Sequence, residues 1–416
     1  MKPFVALVQK IQKKRAIIGV VGIGYVGSAL GLAAAAAGFN VIGFGKTKVN
    51  IDKINNLKHK RFFATHRMSE LAKCDIICIC VPTPIYKNKK PDLRALRSAT
   101  GNVARFLRAG QLITIESSVA PGTTKNIVLP LLLSSHLGIE KDFFLAFSPE
   151  RVDPGNKQYR FTNIPKVVAG VGPYSKKLAV KFYERIVQKV VPVSNLETAE
   201  MVKMLENTFR FINISFINEL TNYTNILNID MWEVVNAAAT KPFGFLAHYP
   251  GPGVGGHCIA VDPYYILHDA KKRGIKLNMI REAGKLNDLQ PARVVERALE
   301  ILKKKGTKKG AKKKILLIGV TYKPNVSDTR ESAALHIWSL LHKYGHTISY
   351  HDPYIPQING SSSQLLSKEL IEKNDLVIIA THHGSINYHA ILESNTPILD
   401  TRNVFNKHNV PHVFRV

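Results

Sequence analysis

Residues 16–45 read AIIGVVGIGYVGSALGLAAAAAGFNVIGFG and carry no charged side chain. By length alone such a run could cross a membrane. Its glycines argue otherwise. Gly22, Gly24 and Gly27 make a G-x-G-x-x-G pattern at the end of a strand-like apolar stretch and the start of a helix-like one. In that setting the first glycine permits a tight turn, the second lets backbone approach a pyrophosphate, and the third lets strand and helix pack closely. The N–H groups that open the helix, those of Tyr25 and Val26 among them, then face the phosphates. The run therefore reads as strand, turn, helix ending at Gly38, and second strand, NVIGFG. A signal peptide fits badly too, because the apolar stretch continues past any small-residue cleavage site.

The alternation continues. CDIICICVPTP, QLITIESSVAPGTT and DFFLAFSPE each read as a strand running into a loop. They place Thr83, Ser118 and Glu150 just beyond strand ends, where open parallel sheets hold ligands. Near residue 194 the period changes to that of a helix about thirty residues long, with Ser194 and Glu197 as a capping box. Lys203 and Asn207 are four apart and share one face of it. That face is either functional or simply solvated, and the apolar length suits a dimer surface. Helices extend to about residue 302. KKILLIGV, SAALHIWSLLHKYG, HTISYHDP, NDLVIIATHH and TPILDT then repeat the strand and helix alternation without a glycine fingerprint. The fold expected is α/β, two doubly wound Rossmann-like domains joined by a central helical region with one long helix. The boundaries are 1–195 for the dinucleotide-binding domain, 196–302 for the helical region and 303–416 for the C-terminal domain.

The chain has 416 residues and a net charge of +28. That balance would suit a polyanion, but the densest run, KKKGTKKGAKKK at 303–314, has no interleaved aromatics and reads as a solvated connector. Neither a nucleic-acid partner nor membrane insertion is expected. Cys74, Cys78 and Cys80 lie in one apolar strand at spacings that match no metal site, so no metal is expected. With no disulfide framework, a reducing, cytoplasmic setting follows.

The fourth cysteine is different. Cys258 sits in YPGPGVGGHCIAVDPYY, residues 249–265, with Asp262 four residues on. Glycine and proline serve where backbone turns sharply or approaches something closely, and cysteine is a strong nucleophile near neutral pH. The alternative is an ordinary half-buried cysteine in a tight turn. TYKPNVSDTRES, between a strand and a helix, clusters Lys323, Asp328 and Arg330, either for an anionic ligand or as a surface salt bridge.

GVVGIGYVG, CVPTP, SPERVDPGN, AEMVKMLENTFRFINISFINEL, KPFGF, PGPGVGGHC, VDPYY and GVTYKPNVSDTRES, in that order, resemble the nucleotide-sugar 6-dehydrogenases of the UDP-glucose and GDP-mannose dehydrogenase family. The form KPFGF…PGPGVGGHC is most similar to the UDP-N-acetylglucosamine 6-dehydrogenase branch. The resemblance implies a homodimer that oxidises a UDP-sugar at C6 with NAD, in a cleft between the two sheet domains. It implies Cys258 as nucleophile and Lys203 and Asn207 as stabilisers of developing oxyanions. Asp262 would work with Lys203 on protons and water, Glu150 would be the base for thioester hydrolysis, and Ser118 would stand where the family has a water-binding hydroxyl. Gly22, Gly24, Tyr25, Val26, Gly27, Lys46, Thr83 and Ser118 would line the cofactor. Phe243, Gly244, Phe245, Gly255, Lys323 and Arg330 would hold the substrate. His257, beside the nucleophile, is expected to fix backbone or face solvent.

One departure bears on the cofactor. The second strand ends IGFGKTK, with Gly45 where the family places a ribose-binding aspartate, and with Lys46 and Lys48 following. NAD remains the expected cofactor. The loss of an acid and gain of cations leaves NADP open, and Asp52 could compensate.

Overall fold

The computed structural model describes residues 2–153, 155–156, 158–304, 311–406 and 410–416; the middle of the lysine-rich connector, 305–310, lies outside the described residues. The chain divides into two compact units, Met1–Glu206 with Tyr264–Gly274, and Asn207–Pro263 with Ile275–Val416.

The first unit opens with a helix absent from the sequence-based expectation, α1 (Lys2–Gln12), whose Leu7 and Ile11 lie one turn apart and are buried. Then come β1 (Ile17–Val21), α2 (Tyr25–Ala36), β2 (Asn40–Phe44), α3 (Lys48–Asn55), β3 (Phe62–Thr65) and β4 (Ile76–Ile79). They are followed by α4 (Arg94–Arg105), β5 (Leu112–Ile115), α5 (Leu129–Leu133), β6 (Phe144–Phe147), β7 (Lys166–Gly170), α6 (Pro173–Tyr183) and β8 (Val190–Pro192). The strands form one eight-stranded sheet in the order β3-β2-β1-β4-β5-β6-β7-β8. Its neighbours run parallel except β6 and β7, which are antiparallel. Every residue of β4, β5 and β6 is buried, as a sheet covered on both faces requires. The uncharged run of the N-terminal segment is thus a strand, helix and strand of this sheet. Among the described residues no helix is long and apolar enough to cross a membrane.

The long helix is α7 (Leu196–Ile226), 31 residues that continue from the first unit into the second. Its cap differs from the expected box: the side chain of Asn195, not Ser194, accepts from Thr198 N at 2.8 Å. Asn and Ser compete well for this position, and here Asn195 is one residue nearer the first turn. After α8 (Met231–Ala238), α9 (Asp262–Lys272) and α10 (Asn278–Lys304) come β9 (Lys314–Ile318), α11 (Ala333–Lys343), β10 (Thr347–His351) and a two-residue hairpin pair, β11 (Gln357–Ile358) and β12 (Ser361–Ser362). The chain ends with α12 (Lys368–Glu372), β13 (Leu376–Ile379), α13 (Tyr388–Leu392), β14 (Ile398–Asp400) and β15 (Val413–Arg415). The second sheet is five-stranded and parallel, in the order β10-β9-β13-β14-β15. Val294, Val295, Ala298 and Ile301 of α10 and Ile337 and Leu341 of α11 share a buried core with Ile315, Leu317, Leu376 and Ile378 of that sheet. The protein is therefore α/β with two Rossmann-like sheets, as its sequence led us to expect. The short strands β3, β7, β8 and β15 were not anticipated, since runs of three to five residues give little periodicity.

The geometry at the β1–α2 junction makes one glycine indispensable. A Cβ added to Gly27 would stand 2.0 Å from the carbonyl oxygen of Gly22. Gly27→Ala must push β1 and α2 apart, an overpacking cost of about 3 kcal/mol. The expected outcome is a lower urea midpoint with the fold otherwise retained; an unchanged midpoint would refute the close packing of strand and helix.

Candidate functional site

The strand order of the first sheet decides which loops meet. β3, β2, β1, β4, β5 and β6 are parallel neighbours, so the loops that follow them line one edge of the sheet in that order. Gly22 follows β1, Thr83 follows β4, Ser118 follows β5 and Glu150 follows β6. Gly22 has φ +94°, and Gly24 caps α2 with no side chain accepting from its first turn. A Cβ on Gly24 would meet nothing within 4 Å. No side chain caps the first N–H groups of α2, and the space beside Gly24 is open, which fits a pyrophosphate. Tyr25 is exposed, and its hydroxyl accepts from Gly155 N at 3.0 Å.

The loops are tied to one another. The Thr83 hydroxyl donates to the Ser118 carbonyl at 2.8 Å. Tyr265 OH donates to the Thr83 carbonyl at 3.0 Å, and Lys89 Nζ donates to Tyr264 OH at 2.7 Å. The VDPYY motif therefore anchors the VPTP loop, a pairing of segments some 180 residues apart in sequence that no local pattern reveals.

Glu150 is the most constrained of the predicted site residues. Its Oε1 accepts from Arg151 N at 2.8 Å and Val152 N at 2.6 Å, and its Oε2 lies 3.3 Å from Lys166 Nζ. Lys166 is itself buried, 2.5 Å from Glu116 Oε2, and the Tyr183 hydroxyl donates to the other oxygen of Glu116. Burial opposes the lysine's charge, but the carboxylates of Glu116 and Glu150 outweigh it, so Lys166 stays protonated well above the ordinary lysine range. Sequence reasoning missed this cluster because its members lie just after β5 and β6, on β7 and on α6, and only the sheet order joins them.

In the second unit Asn207 and Asp262 meet. Asn207 Nδ2 donates to Asp262 Oδ2 at 2.5 Å, and both side chains are buried. The carbonyl of Cys258 accepts from Asp262 N at 2.8 Å, so the cysteine closes the first turn of α9. Cys258 is half-buried, whereas Cys74, Cys78 and Cys80 are buried. Burial pushes the thiol of Cys74 up to about 12 and those of Cys78 and Cys80 further still, leaving them unreactive. The ring of His257 stands against Cys258 Sγ, with its nitrogens at 3.7 and 3.9 Å.

The glycines of the cysteine loop have a structural use of their own. A Cβ on Gly255 would lie 2.5 Å from the Glu331 carbonyl, and one on Gly256 would lie 2.7 Å from the Tyr322 ring. Gly256 N donates to the Arg330 carbonyl at 3.1 Å. These glycines let the cysteine loop lie directly on the TYKPNVSDTRES loop. There Arg330 grips Asp328 with Nε at 3.0 Å and Nη2 at 2.5 Å. Burial pushes the Asp328 carboxyl up, but the bonds from Arg330 outweigh it and hold the group below its usual range. The Thr321 hydroxyl donates to the Lys323 carbonyl at 2.9 Å. Behind this loop His383 Nδ1 accepts from Asn325 N at 3.0 Å, which leaves Nε2 as the protonated nitrogen facing Asp352 at 3.1 Å. Phe243 and Phe245 are exposed, and Gly244, with φ +69°, has nothing within 4 Å of a Cβ position. Among the described residues no cluster could hold a metal ion.

Three family models match in sequence order: the NAD binding domain of the UDP-glucose/GDP-mannose dehydrogenase family over residues 16–191, its central domain over 197–289 and its UDP binding domain over 316–407. A UDP-N-acetyl-D-mannosamine dehydrogenase of Methanocaldococcus jannaschii is 33% identical over 94% of this chain and 93% of its own. The chain belongs to this dehydrogenase family. A UDP-N-acetyl-D-glucosamine 6-dehydrogenase of Pseudomonas aeruginosa is 35% identical over 81% of this chain and 83% of its own. The solved structure of the UDP-N-acetyl-D-mannosamine dehydrogenase of Pyrococcus horikoshii superposes with a TM-score of 0.88 at 30% identity, covering 96% of this chain and 99% of that one. For this dehydrogenase, then, the glycine-bearing sheet edge lies within an NAD-binding domain, and the TYKPNVSDTRES loop lies within the span matched by the UDP-binding domain.

One further carboxylate holds the Ser118 loop. Glu200 on α7, fully buried, accepts from Gly122 N at 2.5 Å and Thr124 N at 2.8 Å. Burial dominates these bonds and raises its pKa from 4.5 to about 7. The folded state therefore binds a proton that the unfolded chain releases above pH 4.5. Stability from this group is full below pH 4.5 and is lost as pH rises through 7, by on the order of 3 kcal/mol. Glu200→Gln, whose NH2 faces a backbone donor, is expected to be less stable overall but to lack that slope. Urea midpoints between pH 4.5 and 8 test this; parallel curves for the two proteins would refute it.

Proposed function

We propose that the protein oxidises the C6 hydroxyl of a UDP-N-acetylhexosamine to the carboxylate, with UDP-N-acetylglucosamine as the substrate. The observation that carries this reading is the contrast among thiols: Cys258 alone is half-buried, in a loop whose glycines press it onto the TYKPNVSDTRES segment, while the other three are sealed in a sheet. The similarity to the Pseudomonas aeruginosa enzyme supports the sugar. The relatives named for UDP-N-acetyl-D-mannosamine support its C2 epimer as the second reading.

The bound nicotinamide accepts hydride. The chain supplies the rest. In the first oxidation the C6 hydroxyl loses its proton, a role assigned to Lys203 and Asp262, and the aldehyde forms as hydride leaves. The Cys258 thiolate then adds to the carbonyl carbon, and the resulting thiohemiacetal can give up a second hydride to become a thioester. Water adds to the thioester, Cys258 leaves as thiolate, and a carboxylate remains. Asn207 has a second N–H beyond the one given to Asp262, and that donor meets the oxyanion at each tetrahedral stage. Glu150 takes the water's proton. Ser118 holds that water. Gly22, Gly24, Tyr25, Val26, Gly27 and Thr83 hold the cofactor. Lys323 and Arg330, with Phe243, Gly244, Phe245 and Gly255, hold the nucleotide sugar.

This scheme requires two reduced cofactors per sugar, read at 340 nm. One per sugar from the wild-type protein would sink the thioester route. Cys258→Ala should give no uronic acid, and Asn207→Ala should lower kcat about 10²–10³-fold. Substrate binding without any reduced cofactor would instead favour a nucleotide-sugar sensor.

We also propose a homodimer through α7. Leu205, Phe209, Phe216, Tyr223 and Ile226 are exposed apolar side chains on that helix, more than an isolated surface helix keeps. Sedimentation should give twice the 46.2 kDa chain mass, and Phe209→Glu with Phe216→Glu should give a monomer. A wild-type monomer at micromolar concentration would overturn this.

A further inference from the structure

The sheet edge that carries the glycine turn has a strongly basic end. Reading outward from Gly22, the next loops follow β2 and β3. They are joined to the turn by backbone: Gly22 N donates to Phe44 O at 2.9 Å, and Gly45 N to Thr65 O at 3.1 Å. This is the end of the edge that receives the adenosine ribose in a fold of this kind, where an acid some twenty residues after the glycines binds the 2′-hydroxyl. Here the position is Gly45, and the space beside it is already filled. A Cβ on Gly45 would lie 2.9 Å from Ile23 Cδ1 and 3.0 Å from Ile51 Cγ1. Asp52 does not replace the missing acid. Its neighbour Ile51 is the α3 residue that faces Gly45, which turns Asp52 about 100° away around the helix.

What surrounds the position is cationic. Lys46, His66 and Arg67 on the two loops and Lys48 at the start of α3 are exposed. From Lys46 to Arg67 there are seven lysines and arginines against one aspartate. The nearby Glu70 is held by Lys73 at 2.7 Å. Among the described residues no carboxylate pairs with Lys46, Lys48 or Arg67. Thr47 caps α3, its hydroxyl accepting from Asn50 N.

We infer that this protein takes NADP, with the 2′-phosphate of the adenosine ribose held by Lys46, Lys48 and Arg67 beside Gly45. The inference deepens the dehydrogenase reading, and rests on it only for the nature of the site. A phosphate dianion gains charge-assisted hydrogen bonds from this rim, whereas the diol of NAD finds no acid to accept from its hydroxyls.

Nucleotide fragments test it on the whole protein without turnover. Calorimetry should show 2′,5′-ADP binding about tenfold or more tighter than 5′-ADP, a gain of roughly 1.4 kcal/mol per tenfold. Lys46→Ala with Arg67→Ala, both exposed and outside any core, should bring the two ligands to equal affinity. Equal binding by the wild-type protein, or none, would overturn the inference. So would 3′,5′-ADP binding as tightly as 2′,5′-ADP, since that reports only attraction to a basic surface. If 5′-ADP wins while UDP-sugar oxidation with NAD proceeds, the inference fails alone. If 2′,5′-ADP wins but no UDP-sugar is oxidised, the inference stands and the proposed reaction falls.

Discussion

The carbonyl of Gly22 lies so close to the α-carbon of Gly27 that a methyl group could not fit between them. That contact sets how tightly α2 seats on β1, and so where the first N–H groups of the helix point. Gly22 itself has a positive φ, +94°, and the chain turns there across the edge of the sheet. Everything proposed for the cofactor follows from that edge. The loops after β4, β5 and β6 extend it in one direction and those after β2 and β3 in the other. Parallel strands make this inevitable, because each must end on the same side as its neighbour.

Along that edge the protein keeps buried charge and makes it structural. Glu200 sits beneath the Ser118 loop and satisfies two backbone donors there. Lys166 sits between Glu116 and Glu150. Such groups add little to stability over apolar replacements, but removing one partner leaves the other uncompensated. Lys166 and two backbone donors fix the carboxylate of Glu150 in one orientation, with one oxygen committed to the backbone and the other directed at an ammonium.

The cysteine loop follows a related logic. Its glycines look like space kept for a ligand, yet two of them are filled from behind by Tyr322 and Glu331. Close packing of one loop on another explains them physically. It ties the thiol to the segment carrying Lys323 and Arg330, and the buried His383 and Asp352 pair holds that segment from within.

The sequence by itself determined the two Rossmann-like sheets and the long helix, and it singled out Cys258 from the other three cysteines. These are local signals: G-x-G-x-x-G between a strand and a helix, thirty residues of helical period, and one cysteine outside any apolar run. It also exposed the loss of an acid at Gly45. The tertiary structure alone decided that Ile51 rather than Asp52 faces that glycine, that Tyr265 anchors the VPTP loop, and that Lys166 grips Glu150. It also replaced Ser194 with Asn195 as the cap of α7 and set the His257 ring against the thiol of Cys258. The difference is one of range. Periodicity and turn chemistry act over a few residues and can be read along the chain. Partners brought together by strand order, or by the facing of a helix, depend on packing that no single stretch of sequence encodes.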